Sequence, residues 1–249
     1  MNPSKQNFGS KRSQETAHLK QRYLSLLPDL PRWVETRDLL SFKGSVVAED
    51  VARNGFVVWS KDDNLGAVVG EPDAETIIRA ANYAAEILAF SENIAHVRSV
   101  LRHYRAEAAT IFSAPAQLPP LSSHVCRQLG RAEIASLQHL PSDTLDELSD
   151  VAQDGVIIVA AFDGSLPVAF AYVASETETL WDVSIDTLES HRRKGYASAA
   201  AIALMHSMMQ RGKTAVWGAL ESNLASQALA RHLGFVAVDT LWVLSRADG

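Results

Sequence analysis

Arg192-Arg193-Lys194-Gly195-Tyr196-Ala197 lies between a strand-like run, Trp181 to Thr187, and a long Ala-rich run with helical character, Ser198 to Gln210. A strand that ends in a basic, glycine-containing turn and passes at once into a helix is suited to holding phosphates. The first turn of a helix has backbone N–H groups without intrahelical partners and carries a partial positive charge. Gly195 and the small Ala197 would let that backbone approach an anion closely, and three cations add attraction.

A second motif follows, Asn223-Leu224-Ala225-Ser226-Gln227-Ala228-Leu229-Ala230-Arg231-His232-Leu233-Gly234-Phe235, after the strand-like run Thr214 to Leu220. Asn223 or Ser222 can cap a helix, Leu229 and Leu233 share one face of it, and Gly234 ends it in a left-handed turn. Phe235 to Val238 and Leu241 to Leu244 read as two closing strands. Strand, Arg-x-x-Gly-x-Ala, helix, strand, Asn-x-x-Ser-x-x-Leu and Leu-Gly-Phe, in this order, resemble the GNAT superfamily of N-acetyltransferases over roughly residues 122–246.

The resemblance implies acetyl-CoA as cofactor and a primary amine, on a small molecule or a peptide, as acceptor. It places the pyrophosphate on Arg192, Arg193, Lys194, Gly195, Tyr196, Ala197 and Ser198. Backbone groups of Ile185, Asp186 and Thr187 would meet the pantetheine and the acyl carbonyl, and Asn223 and Ser226 would contact the pantetheine arm or the phosphates. A helix cap is the plainer role for Asn223, and it can serve both.

Acyl transfer to an amine also needs a base and an acid. Period-2 alternation sets Asp182, Ser184 and Asp186 against Trp181, Val183 and Ile185, so Asp182 lies on the polar face and is a candidate base. Glu221 and Glu178 are others, and for each a plain surface charge competes. The family's usual acid is a tyrosine directly after the leucine of the second motif. Here that residue is Ala230, so water, Ser226 or another group must substitute, or the chain binds without catalysing well. With no Cys nucleophile in place, direct attack in a ternary complex is the expected route.

Composition agrees with a globular chain. Of its 249 residues, 47% are hydrophobic and 21% charged, enough for a sizeable core in one or two domains. A single cysteine, Cys126, excludes an intrachain disulfide and reads as a small core residue. His96 and His103 share a helix face without metal-ligand partners, and no metal site is expected. Residues 121–249 carry nine basic and fifteen acidic side chains against fourteen of each before them, which disfavours nucleic acid. The excess acid is a solvated surface or, on a weaker argument, an attraction for a cationic amine. No leader-like apolar run opens the chain and no segment is long enough to cross a bilayer, so a cytoplasmic, membrane-free protein is expected. Oligomeric state is not legible; a homodimer is left open.

The expected organisation is a disordered lead-in over 1–20, an α/β domain over 21–114, a Pro-rich linker over 115–122 and a GNAT-like catalytic domain over 123–249. Fold class is mixed α/β, a twisted mixed sheet with flanking helices in the second domain. In the first, Gly55 to Ser60 and Leu65 to Gly70 read as a hairpin, and Ala74 to Phe90 and Ser91 to Phe112 as two helices. Gly55-Phe-Val-Val-Trp resembles Gly155-Val-Ile-Ile-Val in pattern, which opens a reading of the first domain as a degenerate copy of the second. Two other functions compete with acyl transfer: a non-catalytic acyl-CoA-binding sensor or interaction module, and a general nucleotide-binding α/β protein.

Overall fold

The computed structural model describes residues 16–153 and 155–246. The expected lead-in therefore lies outside the described residues up to 15, and 16–20 are already helical. The chain divides into two compact units, Met1–Thr110 with Leu220–Ser222 and Asp239–Gly249, and Ile111–Ala219 with Asn223–Val238. Both are mixed α+β, with mostly antiparallel pairing. Among the described residues no helix is long and apolar enough to cross a membrane.

In the second unit, β6 (Cys126–Gln128), β7 (Ile158–Asp163), β8 (Leu166–Glu176) and β9 (Leu180–Thr187) pair antiparallel in sequence order. The hairpin between β7 and β8 turns at Gly164, which adopts a positive φ of 61° after Asp163. α7 (Tyr196–Met209) then crosses over to β10 (Thr214–Leu220), parallel to β9. Each face of this sheet buries a layer. Trp181, Val183, Ala169 and Ala171 pack with Ala199, Ala200, Leu204 and Met205 of α7, where small residues on both sides let helix and sheet lie close. The opposite face, with Ile158, Ala160, Phe170 and Tyr172, is covered by Ile134 of α5 (Arg131–Ile134) and Leu148 of α6 (Ser142–Gln153). α8 (Leu224–His232) follows β10, capped by Asn223, whose side chain accepts the Ser226 N–H.

In the first unit, α1 (16–26) and α2 (Val34–Ser41) precede β1 (Val46–Asp50), β2 (Gly55–Ser60) and β3 (Leu65–Val69), an antiparallel meander. α3 (Ala74–Ala81) crosses over to β4 (Glu86–Phe90), parallel to β3, and α4 (Ile94–Val100) leads to β5 (Tyr104–Ser113). β11 (Val236–Arg246) pairs with β4 through Leu241–Ser245. Here three expectations are corrected. The run from Ala74 to Phe90 is not one helix, because Glu86, Ile87 and Leu88 find Leu65, Gly66 and Ala67 as ladder partners. The run from Ser91 to Phe112 likewise breaks at Leu101 and ends as β5. The two closing strands, in turn, are one strand.

The units repeat one topology: β1-β2-β3-α3-β4-α4-β5 and β7-β8-β9-α7-β10-α8-β11 share element order and, through the two hairpins and the parallel crossover, pairing sense. Topology matches β2 with β8, whereas the sequence echo set β2 against β7.

Candidate functional site

The second unit opens a cleft of about 920 Å³ where β9 and β10 part. Their parallel ladder runs from Leu180↔Thr214 to Asp182↔Val216. Beyond it, Val183 to Thr187 line one wall and Trp217 and Gly218 the other. Asp182 marks the fork: its Oδ1 accepts the Gly218 backbone N–H at 3.2 Å, replacing a ladder bond. Burial raises its pKa to about 7, against the pull of backbone hydrogen bonds from Gly218 and Val183.

One end of the cleft is the start of α7. Gly195 is its N-cap residue at φ 88° and gives no side-chain cap, so the first N–H groups of the helix are left for a ligand. Arg193 also adopts a left-handed φ, 60°, two residues earlier, a backbone conformation used in anion-binding nests. A Cβ on Gly195 would lie 3.3 Å from His124 Nε2. His124 packs at a tilt against Tyr196, 4.5 Å between ring centroids, and His191 Nε2 lies 3.3 Å from Asp163 Oδ2. These contacts brace the loop from below. Arg192 Nε reaches the Thr187 carbonyl at 3.3 Å, tying the loop to the end of β9.

α8 supplies the remaining wall through Asn223, Ala225, Ser226 and Leu229. Ser226 Oγ accepts the indole N–H of Trp217 at 2.9 Å. With that lone pair engaged, its own proton is free to be donated into the cleft. Ala230, one turn further along, is fully buried and adds no polar group.

Every residue expected to hold the cofactor lines this cleft except Lys194, which is exposed beside it. The candidate bases fare differently. Asp182 is engaged at the fork and does not line the cleft; Glu221 is exposed in the turn after β10 and does not line it either. Glu178 sits in the turn at the far end of β9. Asp186 does line it, and its carboxyl is pushed above the usual range by burial, then by the Glu147 charge, with Tyr172 and Arg192 pulling it back. Trp217, His124, Tyr172 and Glu147 were not singled out from sequence. Only Trp217, preceding a glycine at the end of a strand next to the second motif, carried a local signal.

A second concavity, of about 720 Å³, lies in the first unit between α1 and the end of α2. Its one buried cation, Lys20, already donates to the Phe42 carbonyl at 2.7 Å. Among the described residues no group of three or more His, Cys, Asp or Glu could hold a metal. His96 Nε2 contacts the Pro72 carbonyl at 2.7 Å, a structural bond.

A family model described as GNAT acetyltransferase matches residues 66–244. A search of curated proteins finds no match to this sequence. Among solved structures, a GCN5-related N-acetyltransferase-like protein from Streptococcus suis superposes with a TM-score of 0.67 at 16% identity, over 93% of this chain and 100% of that one. An acetyltransferase from the GNAT family of Colwellia psychrerythraea gives 0.58 at 14%, over 92% and 95%. A tandem GNAT protein from the clavulanic acid biosynthesis pathway gives 0.57 at 11%, over 95% and 96%. At these identities the likeness is one of fold.

Proposed function

Because the chain belongs to the GNAT acetyltransferase family, we propose that it transfers the acetyl group of acetyl-CoA to a primary amine by direct attack in a ternary complex. The observation that carries this reading is the uncapped start of α7 facing the fork between β9 and β10. An anion cradle at the end of a slot with unpaired strand edges fits a diphosphate joined to an extended amide-bearing arm. Bound there, acetyl-CoA would supply an activated acyl group on a good leaving thiolate.

The chain's own groups then divide the work. Amides from Arg193 to Ser198 hold the diphosphate, with Arg192 and Arg193 adding charge at the rim. Edge groups of Val183 to Thr187 align the arm. The Ser226 hydroxyl, oriented by Trp217, donates a hydrogen bond toward the departing sulfur, in place of the acid that Ala230 cannot provide. The first unit, which repeats the topology, is read as a degenerate copy that binds no cofactor.

Calorimetry with CoA and acetyl-CoA, followed by turnover on a panel of primary amines, tests the reading. Binding without transfer to any amine would favour a non-catalytic acyl-CoA sensor, the reading that Ala230 supports. No binding of either CoA or acetyl-CoA refutes both.

A further inference from the structure

We propose that Asp186, Tyr172 and Glu147 form a relay that carries the acceptor's surplus proton from the cleft to solvent. This rests on the acyl-transfer reading and adds to it how the site is deprotonated. Asp186 lines the cleft from β9, and Tyr172 comes from the neighbouring β8, where Phe170 and Ser184 pair with Asp186 and Tyr172 respectively. Tyr172 Oη lies 3.1 Å from Asp186 Oδ2 and also contacts Glu147 Oε1 on α6. Tyr172 is 2% exposed, whereas Glu147 is exposed to water. The three side chains therefore run from the cleft, through a buried phenol, to the surface.

A proton count shows why the arrangement is more than packing. A phenol has one proton, and an ionised carboxylate can only accept. Tyr172 can donate to one carboxylate, so the second contact is a hydrogen bond only if a carboxyl carries a proton. Asp186 is the group placed to carry it, with Glu147 from α6, Tyr172 from β8 and Arg192 from the turn before α7 acting on it. Protonated Asp186 donates to Tyr172 Oη, which donates to Glu147.

The reaction needs such an exit. A primary amine enters mostly as the ammonium ion at neutral pH. The ammonium must first lose one proton to free the lone pair that bonds to the acyl carbon, and the nitrogen loses a second as the C–S bond breaks. One ends on sulfur and the other must leave. Once the shared proton has gone through Tyr172 and Glu147 to water, Asp186 is ionised and takes the acceptor's proton; the restored carboxyl passes it to Tyr172 Oη as the phenol proton passes to Glu147, which releases it to water. The phenol is regenerated, and rotation of its hydroxyl resets the chain.

The test uses the full chain, Tyr172→Phe and Glu147→Gln, with CoA affinity measured for each. The first readout is carboxyl titration by NMR. A relay expects Glu147→Gln to lower the apparent pKa of Asp186 and Tyr172→Phe to uncouple the two carboxyls. The second is acetyl transfer to primary amines, for which Tyr172→Phe should lower kcat by about 10²-fold with KM for acetyl-CoA unchanged. Imidazole buffer should restore part of that rate, which a merely structural role would not allow. A Tyr172→Phe rate within twofold of wild type, an Asp186 titration indifferent to Glu147→Gln, or a rate loss matched by lost CoA binding each overturns the relay. Absence of transfer by the wild type, with CoA bound, would count against the acyl-transfer reading, while the titrations still decide whether the three groups share a proton.

Discussion

Asp182 Oδ1 accepts the backbone N–H of Gly218 at 3.2 Å, just past Val216, the partner of Asp182 in the last rung joining β9 to β10. A side chain thus closes the ladder and lets the two strands continue into the cleft without pairing to each other. The carboxyl has a cost: burial holds its folded pKa near 7, against 3.8 for a free aspartate. The native state therefore binds a proton that the unfolded chain has lost between those values. The contribution of this carboxyl to stability is fully present below about pH 4 and is lost as pH rises toward 7. Asp182→Asn keeps an acceptor for Gly218 and should remove this slope, gaining up to about 4 kcal/mol relative to wild type at pH 8. Urea midpoints at pH 5 and pH 8 check it; equal slopes in the two proteins would contradict the assignment.

Gly195 combines a left-handed φ with a close neighbour in His124. Gly195→Val should strain the loop by about 1–3 kcal/mol and displace the amides at the start of α7. We expect CoA affinity to fall at least tenfold, roughly the value of one or two lost hydrogen bonds to a charged ligand. Calorimetry measures this directly, and unchanged affinity would place the diphosphate elsewhere.

Ser226→Ala leaves Asn223 as the cap of α8 through a backbone contact, so CoA should still bind. Acetyl transfer should drop about tenfold, less than the ~10²–10⁴ of a full acid–base contribution because a thiolate leaves readily near neutral pH. Trp217→Phe should share part of the loss, since it frees the Ser226 hydroxyl to turn away while keeping the core filled. Equal rates in all three proteins would assign sulfur protonation to water.

The first unit's equivalent of the anion cradle is already answered. Asp73 caps α3 by accepting the Thr76 N–H at 2.8 Å, and Asp50 Oδ2 accepts the Asp73 N–H at 3.1 Å. Two carboxylates at that helix start repel a phosphate. Titration should therefore give one CoA per chain, and Asp73→Ala should cost about 1 kcal/mol of stability without creating a second site.

Local signals made the second unit legible. β10 has the bounds read from sequence, and the cofactor loop is a contiguous motif whose amides need no distant partner. Period-2 alternation also placed Asp182, Ser184 and Asp186 on one face, although it could not say which of them is consumed by the fork. The first unit was harder because its strands are defined by remote partners. Ala85 N–H donates to Asn64 Oδ1 at 2.8 Å, which turns the chain out of α3 into β4, and nothing between residues 74 and 90 announces that bond. Ala-rich β5 has helix-forming composition overridden by its place in a sheet. Asp239-Thr240 reads as a turn, yet β11 runs straight through it, with Asp239 paired to Arg32 at 3.4 Å. The Asp186–Tyr172–Glu147 alignment draws on three elements, so no spacing rule could reach it.

Leu241–Ser245 complete the first unit by pairing with Phe90–Glu86, some 150 positions upstream. During synthesis, β4 must wait with one edge bare until nearly all of the second unit has been made. The segment Ile87-Leu88-Ala89-Phe90, apolar throughout, is then the natural grip for a chaperone and the first seed for aggregation when translation stalls.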